Sequence, residues 1–286
     1  MKGKKIIHPK EEDTKVLLIN DIAGYGKVSL AAMIPIMSHM GFSIYNLPTA
    51  VVSNTLDYGL FDILETTDYM KNTLDVWKKL GFAFDAICTG FIVSEEQVKV
   101  VAEYCSEQRQ NGVKIFVDPI MGDDGALYNG VSDNTITYMR RICSVADIIM
   151  PNYTEAVFLS DKYIGSDNVT EAEAREIVDA LRELGSKSII ITSITVDGQT
   201  CVYGYDDGRC EYFKIPFEYV PVMFPGTGDI FSALLIGSVL KGRELQESTA
   251  FAMNMVRELI LLNVDNVDKY KGLPIEKYLD DMTKFE

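Results

Sequence analysis

Residues Gly226-Thr227-Gly228-Asp229 stand immediately before an apolar helical run, Ile230 to Leu240. Two glycines let the backbone turn tightly and come close to a ligand. The helix start offers N–H groups without helical partners and a partial positive charge. A phosphate-like anion fits such a site. Asp229 adds a carboxylate on the first turn, which makes chemical sense beside an anion if it handles a proton or a metal. A helix N-terminus should also lower the pKa of that carboxylate. The plain structural reading is a glycine turn with an acidic cap. A Gly-x-Gly-Asp string arises by chance in roughly one chain of this length in ten, so support has to come from elsewhere.

Two further clusters supply it. Asp118-Pro119-Ile-Met-Gly122-Asp123-Asp124-Gly125 gathers acids and glycines directly after a β-rich run. Hard cations such as Mg²⁺ take one or two carboxylates with waters and phosphate oxygens, and Asp118 and Asp123 suit that role. Asp124 reads as a solvated turn residue. In Pro151-Asn152-Tyr-Thr-Glu155, Asn152 fits a helix N-cap and Glu155 its capping-box partner. Glu155 also faces the acidic edge, where it could reach a cation through water.

Other candidates fall away. Gly24-Tyr-Gly26-Lys27-Val-Ser29 lacks the first P-loop glycine, where Asp21 stands, and the third dinucleotide glycine, where Ser29 stands. Its glycines still permit close approach of a ligand. The two histidines, His8 and His39, cannot build a Ser-His-Asp or zinc set.

The elements that must position these residues alternate. Expected strands are Val16–Asn20, Ser43–Leu47, Asp85–Thr89, Ile115–Asp118, Asp147–Met150 and Ser188–Thr192. Expected helices are Val28–Met40, Leu64–Leu80, Glu95–Asn111, Thr135–Ser144, Asn152–Leu159, Thr170–Leu184, Leu245–Leu262 and Ile275–Met282. Thr200–Tyr205 and Arg209–Ile215 flank Asp206-Asp207-Gly208, a hairpin signal. The alternation implies an α/β fold with a mostly parallel central sheet flanked by helices. Ligands bind beyond the carboxyl ends of such strands, where Asn20, Asp21, Thr89, Asp118, Asn152, Thr192 and Ser193 fall.

With 286 residues and 47% apolar composition, one domain over residues 15–286 is expected, after a charged, frayed extension over 1–14. The net charge of −15 argues against nucleic acid. No stretch is long and apolar enough for a membrane span, and no secretory signal opens the chain. Five irregularly spaced cysteines read as reduced thiols of a cytoplasmic protein.

With these pieces in place, the chain resembles the ribokinase-like superfamily and, within it, the pyridoxal/pyridoxamine kinases of vitamin B6 salvage. The likeness runs from about residue 15 to about residue 262. It rests on Asn20-Asp-Ile-Ala-Gly-Tyr-Gly-Lys-Val-Ser-Leu30, Leu47-Pro-Thr-Ala-Val-Val-Ser-Asn54, Phe84-Asp-Ala-Ile-Cys-Thr-Gly90, Val117-Asp-Pro-Ile-Met-Gly-Asp123, Ala146-Asp-Ile-Ile-Met-Pro-Asn-Tyr-Thr-Glu155 and Gly226-Thr-Gly-Asp229. Six ordered motifs are far more specific than any one.

The resemblance implies a homodimer and ATP-dependent phosphorylation of the hydroxymethyl group of pyridoxal, pyridoxine or pyridoxamine. Only a few residues separate the first strand from the first helix, so no separate lid domain is expected. By the same resemblance Asp229 is the base, and the Gly226, Thr227 and Gly228 amides stabilise the moving phosphoryl group. Asp118, Asp123 and Glu155 position Mg²⁺, and Asp118 also serves a monovalent cation such as K⁺. Asn152, Thr192 and Ser193 line the ATP phosphates. Asn20 and Thr49 contact the pyridine ring, and Tyr128 closes over it. Departures from the family pattern at Asn20, Phe91 and Thr55 all lie on the substrate side. The alternatives are a hydroxymethylpyrimidine kinase of thiamine biosynthesis and a non-catalytic vitamer-binding protein on the same scaffold.

Overall fold

The structure, a computed structural model, describes residues 13–128 and 131–283. All but the last two residues of the expected N-terminal extension, and His8 with them, lie outside the described residues. In chain order the elements are β1 (Lys15–Tyr25), α1 (Ser29–His39), β2 (Ser43–Asn54), β3 (Ile63–Glu65), α2 (Thr67–Leu80), β4 (Ala86–Thr89), α3 (Glu95–Gln110), β5 (Lys114–Val117), β6 (Gly122–Asp123), β7 (Ala126–Leu127), α4 (Asn134–Cys143), β8 (Ile148–Ile149), α5 (Tyr153–Ser160), α6 (Glu171–Glu183), β9 (Ser188–Val196), β10 (Gln199–Asp206), β11 (Glu211–Pro216), α7 (Thr227–Leu240), α8 (Leu245–Leu262) and α9 (Leu279–Met282).

One sheet runs in the order β11-β10-β9-β8-β5-β4-β1-β2-β3. Strands β2, β1, β4, β5, β8 and β9 are parallel. The hairpin β10–β11 and the edge strand β3 are antiparallel. The mostly parallel sheet and the hairpin near residues 200–215 agree with the sequence reading.

Both faces of the sheet are covered, which explains why its central strands are apolar without interruption. In β1, Leu17 and Ile19 enter the core shared with α3, α4 and α6, while Val16 and Leu18 enter the core shared with α1, α7 and α8. This period of two fixes the direction of the next residues along β1.

The differences sit at the sheet edge. β1 continues past Asn20 to Tyr25 because Ile22, Ala23 and Tyr25 pair with the end of β2. The register slips between Asn20 and Ile22, beside Pro48, which has no N–H to give the ladder. Residues 63–65 form β3 against β2 where the helix was expected to begin, and α2 starts only at Thr67. Pairing with a neighbouring strand outweighs local periodicity there. The extended ends of β1 and β2, with β3, make a wall continuous with the sheet rather than a separate lid. The two-residue strands β6 and β7 are too short to leave a sequence pattern. The last expected helix splits into a 3₁₀ turn at Ile275–Lys277 and α9.

Candidate active site

The carboxyl ends of the strands open on a cleft of about 660 Å³. Gly226, Thr227, Gly228 and Asp229 all line it. Gly226 is the N-cap of α7 with φ +83°, and a Cβ there would lie 2.3 Å from the Lys27 carbonyl. Only glycine fits that backbone against the turn before α1. The first helical bond of α7 runs from Ile230 N–H to Gly226 O at 3.0 Å. The Thr227, Gly228 and Asp229 amides therefore have no helical acceptor and remain for an anion.

Asp229 is almost fully buried. Its Oδ1 accepts a hydrogen bond from Asn20 Nδ2 at 3.3 Å, and the Ser29 backbone N–H also donates to its carboxylate. The helix terminus does not produce a low pKa. Burial pushes the carboxyl up to about 7, and the Asp118 and Asp21 charges push the same way against those donors. A carboxylate that titrates near neutrality is better suited to accept a proton than one whose pKa the helix dipole alone had lowered.

The acidic residues lie along the same cleft. Asp118, Asp123 and Glu155 line the cleft with Asn152, Thr192, Ser193 and Tyr128. Ser232 Oγ donates to Asp118 Oδ2 at 2.8 Å, and burial pushes Asp118 up to about 7. Glu155 forms the capping box with Asn152: its Oε2 accepts from Asn152 N–H at 2.9 Å. Its Oε1 accepts from Met121 N–H at 3.0 Å. Both oxygens hold backbone, so Glu155 clamps the loop after β5 onto α5. Burial and the Asp118 charge hold its carboxyl well above the usual range. Asn152 Nδ2 donates to Gly122 O at 2.7 Å, which fixes the β6–β7 hairpin to the same helix start.

The donor set suits a cation only in part supplied by protein. Among the described residues, no three His, Cys, Asp or Glu side chains are placed to hold an ion by themselves. Yet buried carboxylates crowd the cleft, and the one Lys or Arg among the described lining residues is Arg257, which pairs with Glu218. One or two carboxylates completed by waters and phosphate oxygens is the usual Mg²⁺ arrangement, and Asp118 retains an oxygen that Ser232 does not take.

Two residues expected at the ring lie behind the wall of this cleft. Asn20 and Thr49 do not line the cleft. Thr49 is fully buried on the α3 side, where its hydroxyl donates to Phe91 O at 2.8 Å and its carbonyl accepts from Gln97 Nε2 at 2.7 Å. Asn20 is spent on backbone and on Asp229. Asp21 and Ser29 occupy the cleft wall instead, with Val52, Asn54, Thr55 and Phe91. At Gly26 a Cβ would meet the Thr55 methyl at 2.4 Å, so the backbone there packs against Thr55. Asp21 was legible as a polar strand end. The apolar lining from Met253, Val256 and Ile260 on α8 was not, because such a stripe reads as core.

Residues 31–273 match the family model described as phosphomethylpyrimidine kinase. A solved structure from Bacteroides thetaiotaomicron, provisionally named a phosphomethylpyrimidine kinase, is 35% identical, with a TM-score of 0.91 over 96% of each chain. A second crystal form under that name was solved with pyridoxal and has a TM-score of 0.89 over 95% of this chain and 96% of its own. The pyridoxal kinase of Bos taurus is 27% identical over 79% of this chain and 77% of its own. That of Leishmania donovani, solved with ADP and pyridoxamine, is 23% identical with a TM-score of 0.84 over 95% and 96% of the two chains, a likeness of fold. The match over residues 31–273 shows that the chain belongs to the phosphomethylpyrimidine kinase family, on the ribokinase-like fold that pyridoxal kinases share.

Proposed function

We propose that the chain is an ATP-dependent kinase of vitamin B6 salvage. It transfers the γ-phosphoryl group of ATP to the hydroxymethyl oxygen of pyridoxal, pyridoxine or pyridoxamine, giving the 5′-phosphate and ADP. The observation that carries this reading is Asp229: a buried carboxylate titrating near neutrality, set among the free amides of α7 and facing the cleft.

The substrate oxygen attacks the γ-phosphorus as the bond to the β-phosphate oxygen breaks, and the hydroxyl proton passes to Asp229. The transition state is loose, so alignment and charge stabilisation dominate. The Gly226, Thr227 and Gly228 amides face the charge on the moving group. Asn152, Thr192 and Ser193 line the phosphate path, and Tyr128 borders the ring. Asp118 and Asp123, with Glu155 beside them, would hold Mg²⁺, and Asp118 would also serve a monovalent ion such as K⁺. The metal, when bound, neutralises and orients the phosphates. Asp21, Thr55 and Phe91 line the ring side of the cleft in place of Asn20 and Thr49.

The reading extends to a single catalytic domain over residues 15–286, acting as a homodimer in the cytoplasm. Cys88, Cys105, Cys143, Cys201 and Cys210 are all unpaired, in keeping with a reducing compartment.

The family description names a phosphomethylpyrimidine, the phosphate ester of another flat ring that bears a CH₂OH, so hydroxymethylpyrimidine and its phosphate are the second reading. Turnover of pyridoxal, pyridoxine, pyridoxamine and hydroxymethylpyrimidine with Mg-ATP tests both. B6 vitamers should be the better substrates, and exclusive use of the pyrimidine would overturn the first reading. Vitamer binding in calorimetry with no turnover of any of them would leave a vitamer-binding protein.

A further inference from the structure

Asn20 is enclosed, and the partners of its side chain determine which way the amide points. Oδ1 accepts from Phe91 N–H at 2.7 Å and from Asp21 N–H at 3.0 Å. Two backbone donors on one atom identify it as the carbonyl oxygen, because a flipped amide would set NH₂ against two N–H groups. Nδ2 must then face the other way. There it donates to Asp229 Oδ1 at 3.3 Å and lies 3.7 Å from Met33 Sδ. Gly90 closes the remaining side, since a Cβ at that position would lie 2.4 Å from Nδ2. The alternation of β1 places Asn20 on the face shared by α1 and α7, beneath the first turn that carries Asp229.

We propose that Asn20 is a positioning residue that holds the Asp229 carboxylate in its reactive orientation, and makes no contact with the ring. This rests on Asp229 acting as the base of the proposed reaction.

The electrostatics of the pocket give the contact its weight. Asp21 from β1 and Asp118 from the end of β5 both oppose ionisation of Asp229. The Tyr128 hydroxyl, beyond β7, feels the same negative field. The groups that favour the ionised form are the Ser29 N–H at the start of α1 and the Asn20 amide. Asn20 is the side chain among them, and its amide is locked in place by groups that are not free to move.

Asn20→Asp removes the donor but also sets a second carboxylate beside Asp229, so its effect is read together with Asn20→Ser, which adds no charge. Asn20→Asp keeps an oxygen for the Phe91 and Asp21 amides and replaces Nδ2 with a second carboxylate oxygen. Asn20→Ser, which keeps a small hydroxyl, is the second variant and decides the matter if the first does not fold. At neutral pH, kcat should fall roughly 10- to 100-fold while vitamer KM stays within about threefold of wild type. The acid limb of kcat should move up by roughly one pH unit or more. The Asp229 carboxyl band, isolated by infrared difference against Asp229→Asn, should titrate higher by a similar amount. A raised vitamer KM with kcat and acid limb unchanged would return Asn20 to the ring and overturn the proposal, as would an unshifted Asp229 band. The infrared titration needs no substrate. A wild-type protein inactive on every vitamer would therefore refute the proposed reaction without deciding the contact.

Discussion

Ser232 lies one turn beyond Asp229 on α7, and its hydroxyl donates to the Asp118 carboxylate at 2.8 Å. One helix therefore carries the candidate base on its first turn and reaches the far acid on its second. The bond lowers the Asp118 pKa against the larger effect of burial. Ser232→Ala should raise that pKa and weaken Mg²⁺ activation several-fold near neutral pH, with little change in maximal kcat, because a hydrogen bond to a charged group contributes roughly 1.5–3 kcal/mol. A Mg²⁺ titration of activity checks it. The deficit should shrink at higher pH, where Asp118 ionises regardless.

Asp229→Asn preserves shape and removes the base. Turnover should drop by about 10²- to 10⁴-fold, while ATP affinity measured by calorimetry changes little. Turnover within a few-fold of wild type would remove Asp229 from the proton-transfer step.

The same substitution should stabilise the protein where the buried carboxylate is charged. Asp229 titrates at about 7 in the folded chain, against an ordinary value of 3.8. Between those values the folded state binds more protons than the unfolded state, so the contribution to stability rises as pH falls and is lost as pH climbs through 7. Melting temperatures of Asp229→Asn and wild type should differ most near pH 8, with the variant higher, and converge toward pH 4. A constant gap across that range would contradict the raised value.

Gly226→Ala and Gly228→Ala should separate folding from phosphate binding. At Gly226 the φ of +83° and the Lys27 carbonyl at 2.3 Å from a new Cβ make the change costly to the fold, by roughly 1–3 kcal/mol. At Gly228 a Cβ meets nothing within 4 Å in the protein. That variant should melt near wild type yet bind ATP more weakly, because the methyl faces the cleft. Thermal melts and ATP titrations of both variants test the contrast.

The sheet and the glycine turn before α7 were legible in the sequence because each rests on local signals. Apolar runs ended by polar residues marked β1, β5 and β8, and the two glycines before Ile230 marked α7. The edge was harder to read. β3 exists through its pairing with Val51 and Val52, which no local pattern encodes. The pKa of Asp229 went opposite to the helix-dipole expectation because burial arises from the whole fold. Asn20 is the instructive case. The alternation of Val16, Leu18 and Asn20 along β1 already assigned it a face, but which helix covers that face is a tertiary fact.

The wall built from β1, β2 and β3 carries a consequence for how such a chain can diversify. Val52, Asn54, Thr55 and Ile63, which border the cleft on the proposed ring side, come from one short stretch of sequence. The groups placed around the phosphates come from α7 and from the ends of β5, β8 and β9. A handful of neighbouring codons can thus redraw which small molecule is accepted while the transfer apparatus is inherited unchanged. Within one scaffold, substrate range can drift quickly and reaction type slowly.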